Sequence, residues 1–402
     1  MINPEFSLPL AVPLRFFRTA PLWLLLAGVL FLLEPSTVLS SRHAPEALAL
    51  THALMLGFAG NIMLGALLQV AAVVAGVRAA RAGLAGLMVW LGLQLGVALL
   101  VAGLWFMQPL LLQGAALSLS LTLLPLAGWL FVRLCRSPAC DPTSTGLAFS
   151  VLALVTTVLL GSALVLVLTR GAALPFAALL RQHVLWGSAG WAGMLLTSVA
   201  VTVVPMFLVT PPWPAKLVRL LVPGTFLLLL AMLCWPVLMP LLVLPAAALV
   251  LPLWRLLQQS KRCVDPARWL WAWGGLNLLL VFGLSPWQAE DGILDAVVLG
   301  GQFLLGGLLP IFTAMLGKII PFLLWLDYRR QRPLAGPLRH MGQLFPERWL
   351  KYLGWLALVA GLCWPWGGVA ATAAGGVLLV YALLLLGMLR QACCKAVAAL
   401  VV

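Results

Sequence analysis

Residues 52–76 read HALMLGFAGNIMLGALLQVAAVVAG, without one Asp, Glu, Lys or Arg. A bilayer core is crossed by about 20 apolar residues in a helix, so this stretch is long enough to span it. Reading outward from it, apolar segments bounded by charged and Pro/Gly-rich breaks recur along the whole chain. They predict twelve spans, at about 20–40, 48–76, 83–105, 109–133, 146–169, 181–209, 217–235, 237–257, 269–286, 294–326, 350–367 and 369–389. The break between the seventh and eighth rests on CWPVLMP around Pro236 and Pro240. The expected fold is all-α, one transmembrane domain over residues 1–402.

Composition excludes the main alternatives. Of 402 residues, 63% are hydrophobic and only 8% charged, whereas soluble domains carry about a quarter charged residues. Disordered chains lack this apolar mass. The net charge of +14 would point to nucleic acid in a soluble protein, but here it reads as orientation. All but four of the 24 Lys and Arg fall in alternate connections, from Arg15 and Arg18 to Arg390 and Lys395. Arg42, Arg170 and Arg181 occupy the opposite side, with Glu46, Glu290 and Asp291, and Lys318 lies within a span. By the positive-inside rule both termini are expected in the cytoplasm, of a bacterial inner membrane. Trp105, Trp213, Trp269, Trp287 and Trp366 fall near span ends, as an interfacial belt requires. The N-terminus does not have the order of features of a signal peptide.

Spans 2, 6 and 10 are the long ones. Each carries an outer glycine cluster: Gly57 and Gly60; Gly187, Gly190 and Gly193; Gly300, Gly301, Gly306 and Gly307. Spans 6 and 10 share an inner proline, Pro205 and Pro321. Landmarks four spans apart predict three four-helix units, over about 1–140, 141–265 and 266–402.

Two of the four histidines, His52 and His183, sit a turn or two inside the outer ends of spans 2 and 6, a depth at which ionisable groups mark function. Neutral imidazole binds haem iron and copper, and the glycines would let a flat macrocycle approach the backbone. The competing reading is a hydrogen bond to a neighbouring helix. Lys318 lies about ten residues from the inner end of span 10. It is either a proton or ion pathway residue or a side chain snorkelling to the interface. Glu34 and Asp295 flank the outer span ends and join it as pathway candidates. Arg181, two residues before His183, is placed to pair a haem propionate, and Gln302 is a further polar group in span 10. The seven cysteines, including Cys135 with Cys140 and Cys393 with Cys394, form no disulfide or zinc pattern. No Walker motif, catalytic triad or haem-attachment CxxCH is present.

Twelve spans, an inside N-terminus, three four-helix arcs and histidines on spans 2 and 6 resemble subunit I of haem-copper oxidases and nitric oxide reductases. HALMLGFAGNIMLGALLQ and HVLWGSAGWAGMLLTSVAVTVVPMF are similar to helices of that superfamily. The first also resembles the opening of the NnrS family, implicated in nitric oxide response and haem and copper binding. By position, His52 matches a low-spin haem ligand and His183 a copper ligand. The other ligands have no counterpart, since spans 7 and 10 hold no histidine. The resemblance implies a histidine-poor relative that binds a b-type haem, or copper, near the outer face through His52 and His183. Arg181, Gln302, Glu34 and Asp295 would surround that centre. Its role would be electron transfer, or gas or metal sensing and handling, with an electron-donor or other membrane subunit as partner and no nucleic acid. A transporter without cofactor, with its site among spans 2, 6 and 10, and a non-catalytic scaffold subunit are the alternatives.

Overall fold

The structure is a computed structural model and describes residues 6–137, 141–287, 295–332 and 338–401; Cys140, Glu290 and Asp291 lie outside these. Among the described residues twelve long helices follow in the expected order: α1 Ala11–Leu33, α2 Pro45–Val73, α3 Ala82–Trp105, α4 Pro109–Cys135, α5 Pro142–Arg170 and α6 Phe176–Leu208. Then come α7 Ala215–Cys234, α8 Pro236–Gln258, α9 Pro266–Trp287, α10 Ala296–Gln331, α11 Glu347–Cys363 and α12 Gly368–Val401. There is no strand among the described residues. Eleven of these helices are long and apolar enough to cross a membrane. The other, α11, has 17 residues and is continued by a 3₁₀ turn at Trp364–Trp366. The chain is thus an all-helical polytopic membrane protein.

Burial sorts the helices into two layers. The most apolar windows of α2, α6 and α10 are 89%, 72% and 94% buried, against half or less for those of the other eight candidate spans. Three helices therefore form the interior and the rest wrap them, leaving large apolar side chains such as Leu110, Leu121, Leu220 and Leu227 exposed. An outer face of that kind is a liability in water and the normal surface in lipid, where each helix satisfies its own backbone.

Two ends differ from expectation. Helix α1 begins at Ala11 rather than near residue 20, because Arg15 stays in the helix and reaches the Gly83 carbonyl at 3.4 Å. Helix α12 continues past residue 389 to carry Arg390, Cys393, Cys394 and Lys395. The break at CWPVLMP is present: α7 ends at Cys234, and Pro236–Leu242 is a 3₁₀ turn into the rest of α8.

Each inner helix contains a π-helical stretch near its start: Ala53–Ala59 in α2, Trp186–Met194 in α6 and Gln302–Leu308 in α10. A π turn holds one residue too many for the i→i−4 ladder, so carbonyls there need other donors. In α2 the Asn61 amide donates to the Gly57 carbonyl at 2.6 Å. Gln94 of α3 donates to Asn61 Oδ1 at 2.9 Å, and Trp23 of α1 donates to Gln94 Oε1 at 2.6 Å. In α10, Gln302 donates to Asn277 of α9. Polar side chains thus tie two of the π turns to outer helices.

Candidate functional site

Helices α2 and α6 bring His52 and His183 together at the end of the bundle where both helices begin. The ring centres are 6.3 Å apart and the planes lie 25° from parallel. Both side chains are half-buried. His52 Nδ1 is 2.7 Å from the Leu48 carbonyl one turn back, and His183 Nδ1 is 3.1 Å from the Thr157 carbonyl of α5. A carbonyl only accepts, so each Nδ1 carries the hydrogen and each neutral ring presents Nε2 as a bare lone pair. That is the tautomer and outer support usual for a metal-binding histidine. Gly161 of α5 makes the room for His183: a Cβ there would stand 3.0 Å from the ring's Cε1.

Two imidazole nitrogens binding one ion at about 2.0–2.1 Å, in rings whose centres lie about 1.1 Å behind those nitrogens, separate the centres by about 6.2–6.4 Å when collinear. The observed distance between ring centres is of that size. Among the described residues no group of three or more His, Cys, Asp or Glu is placed to hold a metal.

The glycines expected to admit a macrocycle are largely covered by protein. A Cβ on Gly57 would stand 2.6 Å from the Trp23 indole, one on Gly190 3.1 Å from Ala153, and one on Gly307 2.7 Å from Leu278. Trp364 covers Gly301, and Gln302 with Asn277 covers Gly306. These glycines serve close helix packing.

The other expected residues are dispersed. Arg181 is exposed on α6. Glu34 is exposed beyond α1 and accepts from Thr37 at 3.1 Å. Asp295 caps α10, accepting from the Val297 amide at 2.6 Å, and Gln302 is engaged by Asn277. Lys318 does not snorkel alone: it is buried and donates at 2.5 Å to Asp265, itself buried at the start of α9. Sequence reading missed Asp265, and with it Thr157 and Gly161. Asp265 had a signal, since its Asp-Pro pair marks a helix start and a buried ammonium calls for a carboxylate. The chain matches no known protein-family model and no curated protein, so its chemistry is read from its own residues.

Proposed function

We propose that this membrane protein holds a metal centre between His52 and His183, serving electron transfer or the sensing and handling of a gas or metal. The observation that carries the reading is the pair itself: two imidazoles on two inner helices, 6.3 Å apart. Each is fixed through Nδ1 by a backbone carbonyl, which leaves Nε2 to donate. Two neutral imidazoles at this spacing would serve as the two ligands of a haem iron or of a two-coordinate copper ion. The covered glycines favour the bare ion, which needs no slot for a porphyrin. Either centre, when bound, supplies one-electron chemistry or a coordination position for a small molecule. The chain's own residues orient the two donors and, through the apolar helices around them, limit access of water.

The recurrence of a π turn in α2, α6 and α10 supports three four-helix units over about 1–140, 141–265 and 266–402. That arrangement, with both termini cytoplasmic in a bacterial inner membrane, is part of the proposal, as is the likeness to haem-copper oxidase subunit I. The match is inexact: His52 lies one residue before its π turn and His183 three before its own.

The test is metal analysis and a dithionite-reduced minus oxidised spectrum of protein prepared with ample haem and copper, beside His52→Ala and His183→Ala. Stoichiometric copper lost in either variant is the expected result. Soret and α bands lost in either variant would place haem on the same ligands. Neither metal nor haem, or either one retained in both variants, overturns the proposal.

A further inference from the structure

A second polar site lies toward the other end of the inner helices. Lys318 of α10 is only 8% exposed, and its ammonium donates to Asp265 Oδ2 at 2.5 Å. The other Asp265 oxygen caps α9, accepting from the Ala267 amide at 3.0 Å. The carboxylate is therefore satisfied on both oxygens. The ammonium has three hydrogens to donate, and Asp265 is its partner among the described residues. Beside it is a cavity of about 10 Å³ between α6, α9 and α10, walled by Phe207, Trp271, Met315 and Ile319. That is room for about one water.

A second cavity, of about 50 Å³, lies between α2, α6 and α10 and shares Val203, Phe207 and Ile319 with the first as a partition. Gln69 lines it. Its Nε2 donates to Ser7 at 2.7 Å, while its buried Oε1 has no partner. Spare donors of Lys318 face the first cavity, whereas the second presents only apolar surface and the Gln69 oxygen does not open onto it. An ammonium with unspent donors is costly to bury dry, and one water in the first cavity answers it.

We propose that Lys318, Asp265 and the first cavity form a hydrated proton site, taking water and protons from the side where α8 joins α9. Asp265 follows the exposed Lys261, Arg262, Cys263 and Val264 directly, which brings the pair to the edge of the bundle. Arg268 spends its guanidinium on the Leu257 and Cys263 carbonyls, and α6 turns only apolar residues to the first cavity. Asp265 is thus the titratable partner facing Lys318. A proton passing from the ammonium to Asp265 Oδ2 breaks an N–H bond and forms an O–H bond, and from there it passes to water at the α8–α9 connection; the reverse transfer restores the ammonium, so the exchange balances without any co-reactant.

Hydroxyl-radical footprinting of the full-length protein in nanodiscs, in ¹⁸O-water, tests the hydration. Met315 beside the cavity should oxidise several-fold faster than Met194, which is buried in an apolar cluster, and Lys318→Leu should abolish the difference while Met194 stays protected. Equal rates in the unmodified protein overturn the proposal without recourse to any variant. Infrared spectra after transfer to D₂O test the proton exchange, with the carboxylate band assigned by its loss in Asp265→Asn. The band should shift within minutes. Persistence for hours, while the amides of the α8–α9 connection exchange, marks a dry ion pair and overturns the proposal as well.

Discussion

At the scale of single residues, the histidine pair depends on one missing side chain. Gly161 leaves the space that the His183 ring fills, and a Cβ there would meet Cε1 at 3.0 Å. Gly161→Val fills that space with branched carbons and turns the imidazole away from the Thr157 carbonyl. Loss of such an outer partner typically costs 10–100-fold in metal affinity. Titration against a chromophoric copper(I) chelator should show a loss of about that size, with gel-filtration behaviour unchanged; unaltered affinity would mean that α5 does not position His183. The chain from Trp23 through Gln94 to Asn61 makes a separate claim. Asn61→Ala and Gln94→Ala, singly and together, should couple by about 0.6 kcal/mol and by no more than about 1.7, the range for side-chain hydrogen bonds within membranes. Reversible unfolding in mixed micelles measures it, and zero coupling would reduce the network to ordinary packing.

At the scale of helices, the π turns make a prediction about register. A π turn absorbs one extra residue while the flanking helix keeps its facing. Removing Leu56 from Ala53–Ala59 should convert α2 to a regular helix with His52 and Asn61 still on their present faces. Removing Leu67, in the regular part, should rotate one flank by about 100° against the other. Metal retention and melting temperature should therefore survive the first deletion far better than the second; equal damage would show that the π turn itself is required. The same scale shows what sequence could and could not reveal. Hydropathy and the basic residues located all twelve helices, because length and apolarity are what a bilayer demands. It put the start of α1 too late because Arg15 and Arg18 read as loop, although an arginine can remain helical and reach a neighbouring carbonyl. The π turns left no trace, since a shift of one residue barely alters an apolar pattern. His52 and His183 were legible as rare polar groups inside spans. Their fixing by Leu48 and Thr157 was not, because main-chain carbonyls carry no sequence signature. Asp265 is 53 positions from Lys318, and only packing pairs them.

At the scale of the whole molecule, the expected orientation can be read from cysteines the chain already has. Cys135 ends α4, Cys263 follows α8 and Cys394 lies in the last turns of α12; Cys234 ends α7. All four are exposed. Counting alternate crossings, the first three share one side of the bundle and Cys234 lies on the other. The three belong to the side that carries nearly all the Lys and Arg, so the positive-inside rule places them in the cytoplasm. Variants retaining one of these cysteines each, in intact cells, should react with a membrane-impermeant maleimide only at Cys234. Inside-out vesicles should reverse the pattern. The result bears on both sites at once, because His52 and His183 lie toward the Cys234 side and the α8–α9 connection beside Asp265 lies on the other. A reversed pattern would move the histidine pair to the cytoplasmic side and the Lys318 site to the outside, exchanging the compartments from which the proposed metal and protons would be drawn. Labelling of Cys135 and Cys263 from opposite sides would remove one crossing between α5 and α8, the region that contains the Pro236 hairpin.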